Sequence, residues 1–169
     1  MCAMDNTAFI GIGSNQGDAF SNCTVAIDRI CASQKTRLLK QSSYYRTEPW
    51  GYREQDDFIN LVIKVQTSYR VLDLLDFLQS IERGLERVKT KPWGPRTIDL
   101  DILFYNKDIF TSPRLTIPHP HIGNRGFVLI PLEEIDPYLV HPVYRKTIAQ
   151  LLDSLDDSSR VTKLYRETP

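Results

Sequence analysis

The chain has 169 residues, with 21 Lys and Arg set against 21 Asp and Glu, so its formal net charge at pH 7 is zero. That length suits one domain with a substantial core and is short for two, and balanced charge argues against a nucleic-acid binder working by bulk electrostatics. No run approaches the ~20 apolar residues of a membrane span, and Asp5 ahead of a short apolar run is unlike a secretory signal.

Cys2, Cys23 and Cys31 form an odd set without metal-ligand spacing. Cys23 and Cys31 fall on one expected helix about 12 Å apart, too far for a disulfide. A cytoplasmic protein with reduced thiols and no membrane or nucleic-acid partner is expected. Nothing in the pattern demands a dimer, so a monomer is the expectation, with residues 1–169 as a single domain.

Residues 7–12 read as a short strand that runs into Gly11-Ile12-Gly13-Ser14-Asn15-Gln16-Gly17-Asp18. This loop lacks the Lys-Ser/Thr ending of a phosphate cradle and reads as a tight strand-to-helix turn. A helix follows over 20–34, carrying Val25, Ala26, Ile27 and Ile30, and then a strand over 36–45. Residues 46–57 form a long polar loop with aromatics and both charge signs, either an active-site lid or an ordinary surface loop. Residues 58–66 alternate as a third strand, with Asn60 among apolar neighbours as a core amide or a ligand contact.

Ser68 is placed to cap a helix reaching about residue 87. Its apolar stripe is Val71, Leu74, Leu75, Leu78, Ile81 and Leu85, with Glu82 inside the stripe and Gln79 at its edge. A carboxylate on a buried face needs a partner, and either a hidden ion pair or a polar ligand would serve.

Arg87, Lys89, Lys91 and Arg96 then lead into Trp93-Gly94-Pro95-Arg96-Thr97-Ile98-Asp99-Leu100-Asp101-Ile102-Leu103-Phe104. Period-2 alternation puts Ile98, Leu100, Ile102 and Phe104 on one face of a strand, and Thr97, Asp99, Asp101, Leu103 and Tyr105 on the other. The two aspartates project side by side, roughly 6–7 Å apart at Cα. Like charges that close call for a cation, either one or two divalent metals or Arg and Lys partners, unless the pair simply stands on a solvated sheet face. Basic residues for phosphate oxygens beside carboxylates for metal are what a polyphosphate site requires.

Downstream, Pro118-His119-Pro120-His121 is a proline-braced extended segment with both histidines on one side. No further soft ligand stands near, so phosphate contact or structure is favoured over zinc. Asn124-Arg125-Gly126-Phe127 opens a helix to about residue 134 with a kink or interruption at Pro131, and a last helix covers 147–155. The polar tail after residue 156 is expected to be loosely ordered. The order of elements indicates an α+β fold with a ferredoxin-like split βαβ core: an antiparallel sheet with helices packed on it, in three α-β-α layers.

In order, Gly13-Ser14-Asn15, Tyr45-Arg46-Thr47, Phe58-Ile59-Asn60, Gln79 with Glu82, the Trp93 to Asp101 motif, Pro118-His119 and Asn124-Arg125-Gly126-Phe127 resemble the 6-hydroxymethyl-7,8-dihydropterin pyrophosphokinase family of folate biosynthesis. The resemblance spans roughly residues 7–142. It implies pyrophosphoryl transfer from ATP to the pterin hydroxymethyl oxygen, giving AMP and the pterin diphosphate. It implies two Mg²⁺ ions on Asp99 and Asp101, with Arg87 and Arg96 as mobile-loop cations. Gln79, Glu82, Trp93, Arg96, Ile102, Arg114, Thr116, His119 and Arg125 would line the ATP site. Phe58 and Phe127 would sandwich the pterin, Asn60 would read its polar edge, and Thr47, Glu48 and Trp50 would supply backbone contacts. The chain departs from the family at Glu86-Arg87, where Gly-Arg is frequent, at Pro92, and at Pro120, which stands for a tyrosine in some members. Two readings compete: another metal-dependent phosphotransferase or nucleotidyltransferase, separated by an ADP product, and an RNA-binding split-βαβ module, whose phosphate ligand the aspartates would repel.

Overall fold

Strand β4, Phe58–Thr67, is the axis of a six-stranded antiparallel sheet in a computed structural model that describes residues 4–51, 54–85 and 94–165. On one side of β4 lies β1 (Asn6–Ser14), and beyond it β5 (Asp99–Tyr105) at the edge. On the other side β2 (Thr36–Gln41) and β3 (Tyr44–Thr47) share β4 end to end, and β8 (Val161–Leu164) pairs with β3. A separate hairpin joins β6 (Phe110–Thr111) to β7 (Thr116–Ile117).

One face of the sheet packs Ile10, Ile12, Leu61, Ile63, Leu100 and Ile102 against helices α1 (Ala19–Cys31) and α2 (Val71–Gly84). The other packs Phe9, Val62, Leu103 and Phe104 under α3 (Gly126–Ile135) and α4 (Ile148–Asp153). The three expected layers follow directly. Among the described residues no helix is long and apolar enough to cross a membrane.

Several local expectations are revised. The strand expected over 36–45 is two strands, because the Ser42 hydroxyl oxygen takes the Val62 N–H at 2.9 Å and interrupts the ladder. Helix α2 starts behind Arg70, not at a Ser68 cap; the Ser68 N–H donates to the Lys35 carbonyl instead. Helix α3 runs through Pro131 as one helix, preceded by a 3-10 turn, Ile122–Asn124. Thr147 and Gln150 form a capping box on α4. Of the tail after residue 156, the described residues include β8, which pairs with β3 in the sheet.

The face assignment of β5 also changes at its end. Ile10 pairs with Ile102, but Phe9 pairs with Phe104, so Leu103 is the extra residue of a β-bulge. A bulge resets the alternation. Phe104 therefore joins Leu103 under α3 and α4, edge-on to Phe9 at 6.0 Å, and Tyr105 turns to the α1–α2 core.

Candidate active site

Directly paired residues in an antiparallel sheet share a face. Asn60 pairs with Gly13, and Gly13 pairs with Asp99; one row along, Val62 pairs with Gly11 and Gly11 with Asp101. The two glycines therefore leave a lane of bare backbone between the β5 aspartates and β4, with Leu103 Cδ2 3.4 Å from where a Gly11 Cβ would sit and Asn60 Oδ1 lying over Gly13. Phe58 stands two residues before Asn60 on the same face, paired with Thr47 of β3. Asn60 Nδ2 donates to the buried Thr47 Oγ1 at 2.7 Å, which fixes the amide over Gly13.

Charge is concentrated at the far side of this lane. The Arg96 guanidinium donates to Asp99, and its Cζ lies 5.8 Å from the Phe58 ring. Burial, and then the charge of Asp99, push the Asp101 carboxyl up to about 7, against the opposing pull of Arg125 and Arg96. Arg125 is only 6 % exposed. Its Cζ sits 4.7 Å from the Trp50 ring and 5.5 Å from Phe127, a planar cation held between two aromatic faces. Phe127 follows Gly126 in the first turn of α3.

Glu82 comes from beneath. It is 5 % exposed on the apolar stripe of α2, and its Oε1 accepts the Leu100 N–H at 2.8 Å. Among the described residues Leu100 lies on the edge strand between the two aspartates, and Glu82 supplies the acceptor on its open side. Neither a hidden ion pair nor a ligand is needed to account for this bond.

Asn15, in the turn after β1, carries more of the site than its sequence suggested. Its Oδ1 accepts the Arg96 N–H at 2.8 Å and its N–H donates to the Arg96 carbonyl at 3.1 Å. Its Nδ2 reaches Gln55 Oε1 and the Asp56 carbonyl, both at 3.0 Å. One buried side chain thus ties the loop before Phe58 to the segment before Asp99. The Gly13-Ser14-Asn15 triplet was the only signal for it.

His119 and His121 have rings 5.9 Å apart, and Trp50 lies 5.8 Å from His121. The His119 N–H donates to the Leu103 carbonyl at 2.9 Å, and its Nδ1 accepts from the His121 N–H at 3.2 Å. Burial, with Arg125 second, pulls the His119 imidazole down to about 4. The other expected site residues are placed as follows. Arg114, on the exposed turn between β6 and β7, pairs with Asp76 of α2. The Ile102 side chain faces the α1–α2 core, Gln79 is half-buried on α2, and Thr116 is on β7. The Glu48 N–H is taken by the Arg160 carbonyl at 3.1 Å. Arg87 and Trp93, with Lys89 and Lys91, lie outside the described residues.

Among the described residues no group of three or more His, Cys, Asp and Glu side chains converges as a ready metal cage. A pair of carboxylates fits Mg²⁺, which keeps most of its ligands as water and substrate phosphate.

Paired carboxylates beside arginines, on a sheet face that also presents aromatic rings and a fixed amide, define a phosphate-transferring α+β enzyme. The family model for 7,8-dihydro-6-hydroxymethylpterin-pyrophosphokinase (HPPK) matches residues 9–137, and the chain belongs to that family. Its activity is pyrophosphoryl transfer from ATP to hydroxymethyldihydropterin, in folate biosynthesis. It is 43 % identical over 136 residues to the Haemophilus influenzae 2-amino-4-hydroxy-6-hydroxymethyldihydropteridine pyrophosphokinase, covering 80 % of this chain and 85 % of the relative. The Methylorubrum extorquens enzyme of the same name is 39 % identical over 151 residues, 89 % of this chain and 94 % of the relative. The Schizosaccharomyces pombe folic acid synthesis protein fol1 is 40 % identical over 158 residues, 94 % of this chain and 21 % of that protein. Among solved structures, a wild-type Plasmodium falciparum HPPK-DHPS with pteroate superposes with a TM-score of 0.71 at 17 % identity. That match covers 88 % of this chain and 42 % of the other, so the chain spans less than half of it. The shared fold is the ferredoxin-like α+β arrangement.

Proposed function

We propose that the β5 face bearing Asp99 and Asp101 is the reaction centre, and that the enzyme releases AMP and the pterin diphosphate after attack on the β-phosphorus of ATP. The observation that carries this reading is the register: both aspartates face the Gly11–Gly13 lane that also holds Asn60. Asp99 and Asp101 would hold two Mg²⁺ ions, since a divalent cation would offset both the burial and the neighbouring Asp99 charge that raise Asp101. Bound there, a divalent metal would supply charge neutralisation for the triphosphate and would favour ionisation of the attacking hydroxyl.

The chain's own residues position and shield. Arg96 and Arg87 bring cations to the phosphate oxygens as they close over them. Gln79, Glu82, Trp93, Ile102, Arg114, Thr116, His119 and Arg125 form the nucleotide side, with His119 presented as a neutral imidazole. Phe58 and Phe127 take the flat pterin between their faces, and Asn60, braced by Thr47, addresses its polar edge. Glu48 and Trp50 lie in the loop that covers it. Holding both substrates in line is the larger part of such catalysis, because phosphoryl transfer needs little covalent help. The protein acts as a single-domain cytoplasmic monomer, with ATP and the pterin as its partners.

Incubation with ATP, Mg²⁺ and 6-hydroxymethyl-7,8-dihydropterin tests the reading, with the nucleotide product resolved by chromatography. One AMP per pterin consumed is expected, with no turnover once the metal is chelated. ADP in its place would assign the site to a different phosphotransfer.

A further inference from the structure

Helix α3 begins behind Arg125, whose side chain makes no capping hydrogen bond. Its acceptor comes from 31 positions away: Asp157 Oδ2 takes the Gly126 N–H at 2.9 Å. The other oxygen of the same carboxylate takes the Ser159 N–H at 2.9 Å. A Cβ on Gly126 would stand 3.2 Å from Asp157 Oδ2 and 3.4 Å from Leu155 Cδ2, so the C-terminal segment lies directly on the start of the helix. Gly126 immediately precedes Phe127, one face of the proposed pterin slot.

The same segment grips the opposite wall. The Arg160 carbonyl accepts from the Glu48 N–H at 3.1 Å, and the Arg160 N–H donates to Glu48 Oε2 at 3.2 Å. Val161 is the register partner of Thr47, and Thr47 is the partner of Phe58. Residues 157–161 therefore run from the first turn of α3 to the β3–β4 pair that carries the slot's other ring and its amide.

We propose that residues 157–161 set the spacing of the aromatic slot, with Asp157 as the positioning residue that registers Phe127 against Phe58 and Asn60. This rests on the reading of Phe58 and Phe127 as the pterin slot. A carboxylate at a helix N-terminus is favoured by the helix dipole, and here it also ends a turn that is continuous with β8. Burial raises the Asp157 carboxyl, but the hydrogen bonds from Ser159 and Gly126 outweigh it and hold it below the usual range. The group is therefore an anion throughout the neutral range and its hold on the helix is constant there. These bonds join Asp157 to Gly126 and Ser159 and not to the rings of the slot, so it acts on the pterin through α3.

The test is calorimetry on the full chain with a non-hydrolysable ATP analogue and Mg²⁺, titrating the analogue first and the pterin second. Asp157→Ala is expected to weaken pterin binding about tenfold, the scale of a sub-ångström misplacement of a binding wall, and to leave the analogue's affinity within about twofold. Asp157→Asn keeps an acceptor for the Gly126 N–H and is expected to recover most of the loss. Amide hydrogen exchange on the ligand-free protein reads the clamp itself: Asp157→Ala should speed exchange at Gly126. Should Asp157→Ala not fold, Gly126→Ala presses on the same contact from the other side and is expected to weaken the pterin alone. Unchanged pterin affinity in the folded variant, or equal losses for both ligands, overturns the proposal while leaving the slot in place. A wild-type protein that binds no pterin beside the analogue overturns the reading of the slot, and this proposal with it.

Discussion

Asn60 Oδ1 lies 2.5 Å from the point where a Cβ on Gly13 would sit. The amide of β4 therefore rests on bare backbone of β1, and its direction depends on Gly13 having no side chain. Gly13→Ala would force Asn60 off its bond to Thr47, because a Cβ so close to oxygen cannot be accommodated. Pterin affinity is expected to fall about tenfold or more, on the scale of a displaced buried hydrogen-bonding group. ATP affinity should fall less, and calorimetry with each ligand separates the two. Equal effects would mean that Asn60 does not face the pterin.

Asp101 carries a cost in the metal-free protein. Its carboxyl is pushed up first by burial and then by Asp99, so its ionised form is disfavoured in the fold relative to the unfolded chain. Stability therefore declines as pH rises from the ordinary carboxylate range towards about 7. Asp101→Asn removes that cost and is expected to raise the metal-free Tm by about 2–6 °C, using about 2–4 °C per kcal/mol for a domain of this size. The same change should lower turnover by about 10³, the loss typical of a central electrostatic stabiliser. A variant that is less stable in EDTA, or that turns over normally with Mg²⁺, contradicts the assignment.

Period 2 was enough to place Asp99 and Asp101 side by side and to put Asn60 and Phe58 on a common face, because a half-buried strand writes its two faces into alternate residues. It failed at Leu103, where three successive apolar residues give no sign of which one is the bulge. The break at Ser42 was equally hidden, since a serine that substitutes for a ladder bond looks like any strand-edge serine. β8 is only four residues long in a stretch rich in polar residues, and Asp157 caps a helix whose start lies far away in sequence. The roles of Asn15 and Glu82 are backbone hydrogen bonds to distant residues, which residue type alone does not announce. Arg114 was expected at the nucleotide from the family resemblance, and its pairing with Asp76 depends on how the β6–β7 turn meets α2.

His119 gives a pH signature. Its folded value of about 4 lies below the ordinary 6.5, so the unfolded chain takes up the proton first as pH falls. The stability that the neutral imidazole supplies is complete above about 6.5, is lost progressively down to about 4, and does not change further below that. Protonation also ends the acceptance of the His121 N–H at Nδ1. The span corresponds to on the order of 3 kcal/mol. His119→Asn should flatten the urea-derived stability profile between pH 6.5 and 4 relative to wild type. Parallel profiles would place the acid sensitivity elsewhere.

Glu82 makes a prediction that separates holding a strand from holding a ligand. Leu100 lies on the edge of the sheet, buried, with the Glu82 carboxylate as the acceptor of its N–H. Glu82→Ala leaves that amide without this acceptor and costs about 1–3 kcal/mol, the penalty for a buried donor left unmet. Glu82→Gln keeps an oxygen at the same reach and should restore most of the stability, since the bond needs a lone pair and not a charge. Thermal melts of the two variants without ligand therefore report the strand contact, and titration with the ATP analogue reports any contact with nucleotide. Wild-type melting in Glu82→Ala would show that β5, and the aspartates it carries, are held in place by the β1 ladder alone.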